Sequence, residues 1–368
     1  MTTIGKRRLV ALVPIALLVA CGSESSSLPS APGSSIAADH VADASAPLVP
    51  RIIAPQTTDP EIDWIPTVRP QFNHHYVWLD PSAPRRPKLV VFLPGFEGKP
   101  RCCQLLLGEA ARLGYYVIGL MYPNEVNILS PCAGSPDPDC AANIRLELLD
   151  GVDRSSALSI NHANSIDNRL TKLLLYLDSH FPSERWSRFL EDGRPDWSQI
   201  LVSGHSYGAG QAAFIGTVRK VSRVAMISGP APEEAAAWVS IGRTPAAKYF
   251  ALYHQRETWT SVITANVTAL DLDRFGSPVA PELSEPPYRG THLLATDLAP
   301  RGGTDLATAH LSTAVDPFTP LAPDGTPLLR DAWRYLLGEG GELQDDNDDD
   351  VDVAKWSPGE ARTERGTQ

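Results

Sequence analysis

The sequence predicts an α/β fold: a mostly parallel central sheet with helices on both faces. Three observations carry that expectation. Short, continuously apolar runs such as LVVFL at 89–93 and ILV at 200–202 have the composition of strands buried on both faces. Runs with apolar residues at helical spacing alternate with them, the order that builds a parallel sheet. Between Gln199 and Ile215 (QILVSGHSYGAGQAAFI) an apolar strand meets Gly204-His205-Ser206-Tyr207-Gly208 and then a helix start made of small residues. A turn that tight leaves no space for side chains on its flanks and would hold the Ser206 hydroxyl above the carboxyl end of the sheet.

Of 368 residues, about 280, from 64 to 340, look globular, enough for one large domain. Hydrophobic content of 43% and charge of 20% are ordinary for a soluble fold. The net charge of −11 argues against nucleic acid or an anionic membrane surface as partner. Part of that charge is a run of aspartates between Asp345 and Asp352. It lacks the spacing and glycine of a calcium loop, so 341–368 reads as an acidic, disordered tail.

The chain opens with Lys6, Arg7 and Arg8 before an apolar run over 9–20, too short to span a bilayer and suited to a signal peptide over 1–20. Residues 21–63 read as a linker, rich in Ser, Ala and Pro in its first part. Strands are expected at 75–79 and 88–93, joined as a hairpin by Pro81-Ser82-Ala83-Pro84. A helix carrying Leu105, Leu106, Ala110 and Leu113 ends at Gly114, and a strand over 115–121 follows. The stretch 124–164 reads as long and irregular, a lid or rim over the site. Ser165 starts a helix whose Ile166, Leu170, Leu173, Leu174 and Leu177 form a core stripe. Strands at 224–228, 249–253 and 292–296, a helix from about 258 and a last helix over 327–337 complete the domain.

Gly-x-Ser-x-Gly alone is a weak signal; strand and helix around it make it resemble the nucleophile elbow of the α/β-hydrolase superfamily. The resemblance covers roughly 70–338 and implies a serine nucleophile, an acid and a histidine base, in that chain order. It implies that Ser206 attacks, and that the Tyr207 N–H, at a helix start, faces the developing oxyanion. The loop Pro94-Gly95-Phe96-Glu97-Gly98 matches the one that supplies the second oxyanion donor, at Phe96. His310, past the last strand, matches the base, against the alternative of a surface loop histidine. Glu257, in His254-Gln255-Arg256-Glu257 after the strand two beyond the elbow, matches the acid. Asp271, Asp273 and Asp297 are rivals, and a surface ion pair with Arg256 is the plain alternative for Glu257. His205 is expected to point away from Ser206, and His292 to be structural.

Leu18-Val19-Ala20-Cys21 looks like the lipobox of a bacterial lipoprotein. That implies cleavage before Cys21, lipid attachment to its sulfur and anchoring to the cell envelope. Gly22 after it favours the outer membrane. Among the other cysteines, Cys132 and Cys140 are the expected disulfide, because adjacent Cys102 and Cys103 rarely pair with each other. The alternative joins Cys102 or Cys103 to the 124–164 stretch. No C-x-x-C or HExxH is present, so neither zinc nor another cofactor is implied. The activity that the resemblance implies is hydrolysis of a small-molecule or lipid carboxylic ester. A non-catalytic surface-binding lipoprotein, or an acyltransferase or peptidase with the same triad, are the alternatives.

Overall fold

The computed structural model describes residues 48–233 and 236–339. The expected signal peptide, the expected lipidation site Cys21 and the expected acidic tail lie outside the described residues. Eight strands form the central sheet: β1 (Arg51–Ile53), β2 (His75–Trp78), β3 (Leu89–Leu93), β4 (Tyr116–Gly119), β5 (Ile200–His205), β6 (Arg223–Ile227), β7 (Tyr249–His254) and β8 (Leu293–Thr296). Their order is β1-β2-β4-β3-β5-β6-β7-β8. The six from β4 to β8 run parallel; β2 is antiparallel to β4, and β1 to β2.

Strand alternation divides the core between the two faces. Leu89, Val91 and Leu93 of β3 face one cluster, with helices α2 (Cys140–Asp150), α3 (Ile166–His180), α4 (Tyr207–Val218) and α5 (Thr260–Ala269). Val90 and Phe92 face the other, with α1 (Gln104–Arg112) and α7 (Arg330–Leu336). One further helix, α6 (Leu306–Ser312), follows β8. The α/β class with helices on both faces is therefore as the sequence implied. Gly114 ends α1 at φ +91°, and the Ser165 hydroxyl caps α3 by accepting the Asn168 N–H.

Three expectations are corrected. The linker does not run to 63: β1 pairs with β2 from Arg51, and Ile53 and Ile62 are buried, so the ordered domain begins earlier. Strands β2 and β3 form no hairpin, because β4 lies between them and pairs with both. A strand apolar on both faces belongs inside a parallel sheet covered on both faces, and β3 lies between parallel β4 and β5.

The 124–164 stretch is irregular only in part. It contains α2, whose Ile144, Leu148 and Leu149 are buried, and the Cys132–Cys140 disulfide leads into that helix. Closing so short a loop is worth about 2–3 kcal/mol. Cys103 keeps a free, buried thiol. Two buried charges of α2 tie the stretch down. Arg145 binds Glu233 through two nitrogens at 2.7 and 2.6 Å. The Glu147 carboxylate accepts the backbone N–H groups of Arg154, Ser155 and Ile160 at 2.9–3.0 Å. His310 is buried in α6, which the Asp305 side chain caps, against the alternative of a surface loop histidine.

Candidate active site

The elbow owes its shape to two glycines. A Cβ on Gly204 would lie 2.3 Å from the Gly208 backbone, and one on Gly208 would lie 2.0 Å from the Leu93 carbonyl oxygen. Neither position tolerates a side chain, so β5, α4 and the end of β3 close up around the turn. Ser206 adopts φ +57°, a conformation that is costly for a non-glycine residue, and its N–H bonds the Ile227 carbonyl at 2.8 Å. From Ile200 to Val218 every residue is buried except Ser206. Trp238 packs on Phe214 and the Arg243 N–H donates to the Thr217 carbonyl oxygen, so the segment from Trp238 to Arg243 lies against α4.

The loop after β3 crosses beside this serine. A Cβ on Gly95 would meet the His205 carbonyl oxygen at 3.1 Å and Ser206 Cβ at 3.2 Å. Residues missed in the sequence hold the loop by its other groups. The Tyr122 hydroxyl donates to Pro94 O at 3.0 Å, Asn124 Nδ2 to Gly95 O at 2.6 Å and Gly98 O at 2.9 Å, and Glu97 N to Asn124 O at 3.1 Å. Among the described residues, neither the Phe96 N–H nor the Tyr207 N–H donates a hydrogen bond. The two side chains meet edge to face, with ring centroids 6.4 Å apart. A signal for Asn124 was present: a polar residue directly after the strand, in Tyr122-Pro123-Asn124, although it reads as a turn former.

Glu257 and His310 come together. Glu257 is buried, its Oε2 against His310 Nδ1 and its Oε1 accepting the His254 N–H and the Ser228 hydroxyl, both at 2.9 Å. The rivals lie elsewhere: Asp271 pairs with Arg274 and Asp297 with Arg256, both pairs on the surface, while Asp273 begins a short turn beyond α5. Arg256 thus does not neutralise Glu257. Among the described residues the Ser206 hydroxyl has no hydrogen-bond partner; His205 bridges the gap between elbow and base. Its Nε2 lies 3.0 Å from the His310 carbonyl oxygen, so Nε2 carries the proton and donates, and the two rings are 4.9 Å apart.

Burial and the neighbouring His310 push His205 down to about 3. His292, stacked between Phe250 and Phe275, is pushed by burial to about 4, and burial holds His75 well below its usual range. A histidine kept neutral in the fold favours the native state above its ordinary 6.5, and that contribution is lost as pH falls toward the folded value. Asp316 works in the opposite sense, since burial raises it to about 7 and protonation below that pH favours the fold. Three histidines outweigh one carboxyl, each group contributing about 1.4 kcal/mol per pH unit. Thermal melts should therefore show the midpoint dropping steadily from pH 6.5 to pH 4.5. A flat midpoint across that range would contradict the neutral-histidine assignment.

No protein-family model matches the chain, and no curated protein does. Among solved structures it is similar to MGS-M1, an alpha/beta hydrolase enzyme from a Medee basin deep-sea metagenome library. The likeness has a TM-score of 0.39 and 10% identity, over 78% of this chain and 96% of that one. The described residues themselves form an eight-stranded, mostly parallel sheet with helices on both faces. Among the described residues, no helix is long and apolar enough to cross a membrane.

Proposed function

We propose that this chain is a serine hydrolase acting on carboxylic esters. One observation carries the reading: a buried carboxylate and histidine pair, Glu257 with His310, is tied by His205 to the strained elbow, directly before its partly exposed Ser206. In this reading Ser206 Oγ attacks the ester carbonyl carbon while His310 Nε2 takes the hydroxyl proton. Glu257 remains ionised, holds the Nδ1–H and stabilises the imidazolium. The amides of Tyr207 and Phe96, free of other partners, donate to the oxyanion. Collapse expels the alcohol, which takes the proton from His310 and leaves an acyl-enzyme. Water then repeats the sequence and releases the acid. The hydrogen bond from Ser206 to His310 forms as substrate displaces solvent, since such contacts are commonly long in the unliganded state.

Esters are chosen because they need the least leaving-group assistance that this constellation supplies. Export and lipid attachment at Cys21 belong to the same proposal and rest on Leu18-Val19-Ala20-Cys21. The test is labelling of the purified protein with a fluorophosphonate, followed by peptide mapping and a panel of esters of graded chain length. Adduct on Ser206 and turnover of some esters are expected. An unlabelled protein would favour the non-catalytic, surface-binding alternative.

A further inference from the structure

We propose that Ser228 is a positioning residue, the middle of a hydroxyl relay from Thr313 that fixes the Glu257 carboxylate; the proposal rests on the roles given to Glu257 and His310 above. Ser228 directly follows β6 at φ +47°, in the left-handed region that disfavours residues other than glycine. Its backbone is held there by an N–H bond to Leu252 O at 2.7 Å. The side chain is fully buried among three oxygens: Thr313 Oγ1 at 2.8 Å, Glu257 Oε1 at 2.9 Å and His310 O at 3.1 Å.

A serine hydroxyl has one hydrogen to give, and the carboxylate is the strongest of these acceptors. Ser228 therefore donates to Glu257, and the Thr313 hydroxyl, 2.8 Å from Ser228 Oγ against 3.2 Å from the His310 carbonyl oxygen, donates to Ser228. The His310 carbonyl is not left short, because His205 Nε2 already donates to it. This assignment gives every hydroxyl and the carbonyl a partner. Its value follows from the glutamate: its side chain has one more rotatable bond than an aspartate and more orientations to lose. His254 N–H and Ser228 O–H grip Oε1 from two different elements, which sets the carboxylate plane and presents Oε2 to His310 Nδ1. With either donor gone, the carboxylate can rotate about the remaining bond.

Ser228→Ala and Ser228→Gly form the test, measured on a chromogenic ester. Both remove the hydroxyl, but glycine also relieves the backbone, so strain and hydrogen bonding are separated. Loss of a bond to a charged group predicts kcat lower by about 10- to 100-fold in both variants, with KM within about two-fold. In a Glu257→Gln background the same Ser228→Ala change should cost less than about two-fold, as expected for groups that act as a unit. Thr313→Val should lower kcat in the native background and have no effect once Ser228 is alanine. The downfield proton signal of His310 Nδ1–H should shift in Ser228→Ala. Native kcat in the glycine variant, or an undiminished loss in the Glu257→Gln background, would overturn the relay. A wild-type protein that turns over no ester and takes no fluorophosphonate would overturn the underlying site reading instead.

Discussion

Ser206→Ala should lower kcat on a chromogenic ester by about a million-fold, with the thermal midpoint unchanged or raised. The expectation follows from two features of the residue. Its oxygen is the only side-chain atom of the elbow placed to attack, and Ser206 alone among residues 200–218 is not buried. Nothing in the fold depends on the hydroxyl, which has no hydrogen-bond partner among the described residues, so alanine leaves the scaffold intact. His310→Ala should cost as much, because base and nucleophile act together. The measurement is kcat with substrate in excess for each variant, backed by the melt. Retention of more than about a thousandth of the native kcat in Ser206→Ala would place the nucleophile elsewhere.

The second large effect belongs to the acid. Glu257→Gln keeps size and loses charge, and should reduce kcat by roughly two to four orders of magnitude. An amide presented to His310 Nδ1 favours the wrong tautomer and leaves the imidazolium without its counter-charge. The same change also places an amide among buried donors, so the melt should fall modestly. Asp271→Asn and Asp273→Asn are the controls, each expected to leave kcat within a few-fold. Asp271 is occupied by Arg274 at the surface, and Asp273 has no bond to His310. A crippled Asp271→Asn beside a near-native Glu257→Gln would move the acid role and leave Ser206 and His310 in place.

What the sequence made legible was local. The elbow could be read because strand, glycines and small residues lie within seventeen consecutive positions, from Gln199 to Ile215. The Cys132–Cys140 bridge could be read because its partners are eight residues apart. The acid stayed divided among four carboxylates, since which one meets His310 depends on how the ends of β7 and β8 splay. Helix α2 was missed for a physical reason: buried Arg145 and Glu147 interrupt its apolar stripe, and their partners lie far along the chain. Strand β1 has three residues, too few for periodicity to register. Ser228, Tyr122 and Asn124 look like ordinary strand-end polar residues until the neighbouring segments are placed against them.

The pairing of Arg145 with Glu233 and the three amides gathered by Glu147 carry a kinetic consequence. A segment moored by buried charges cannot swing without exposing them, and leaving either charge unpaired would cost several kcal/mol. Helix α2 and the turn after it therefore do not open and close as a shutter between catalytic cycles. Under the proposed reading, entry to Ser206 does not wait on that segment. In the proposed hydrolase an oil–water boundary then has no shutter in this helix to trigger.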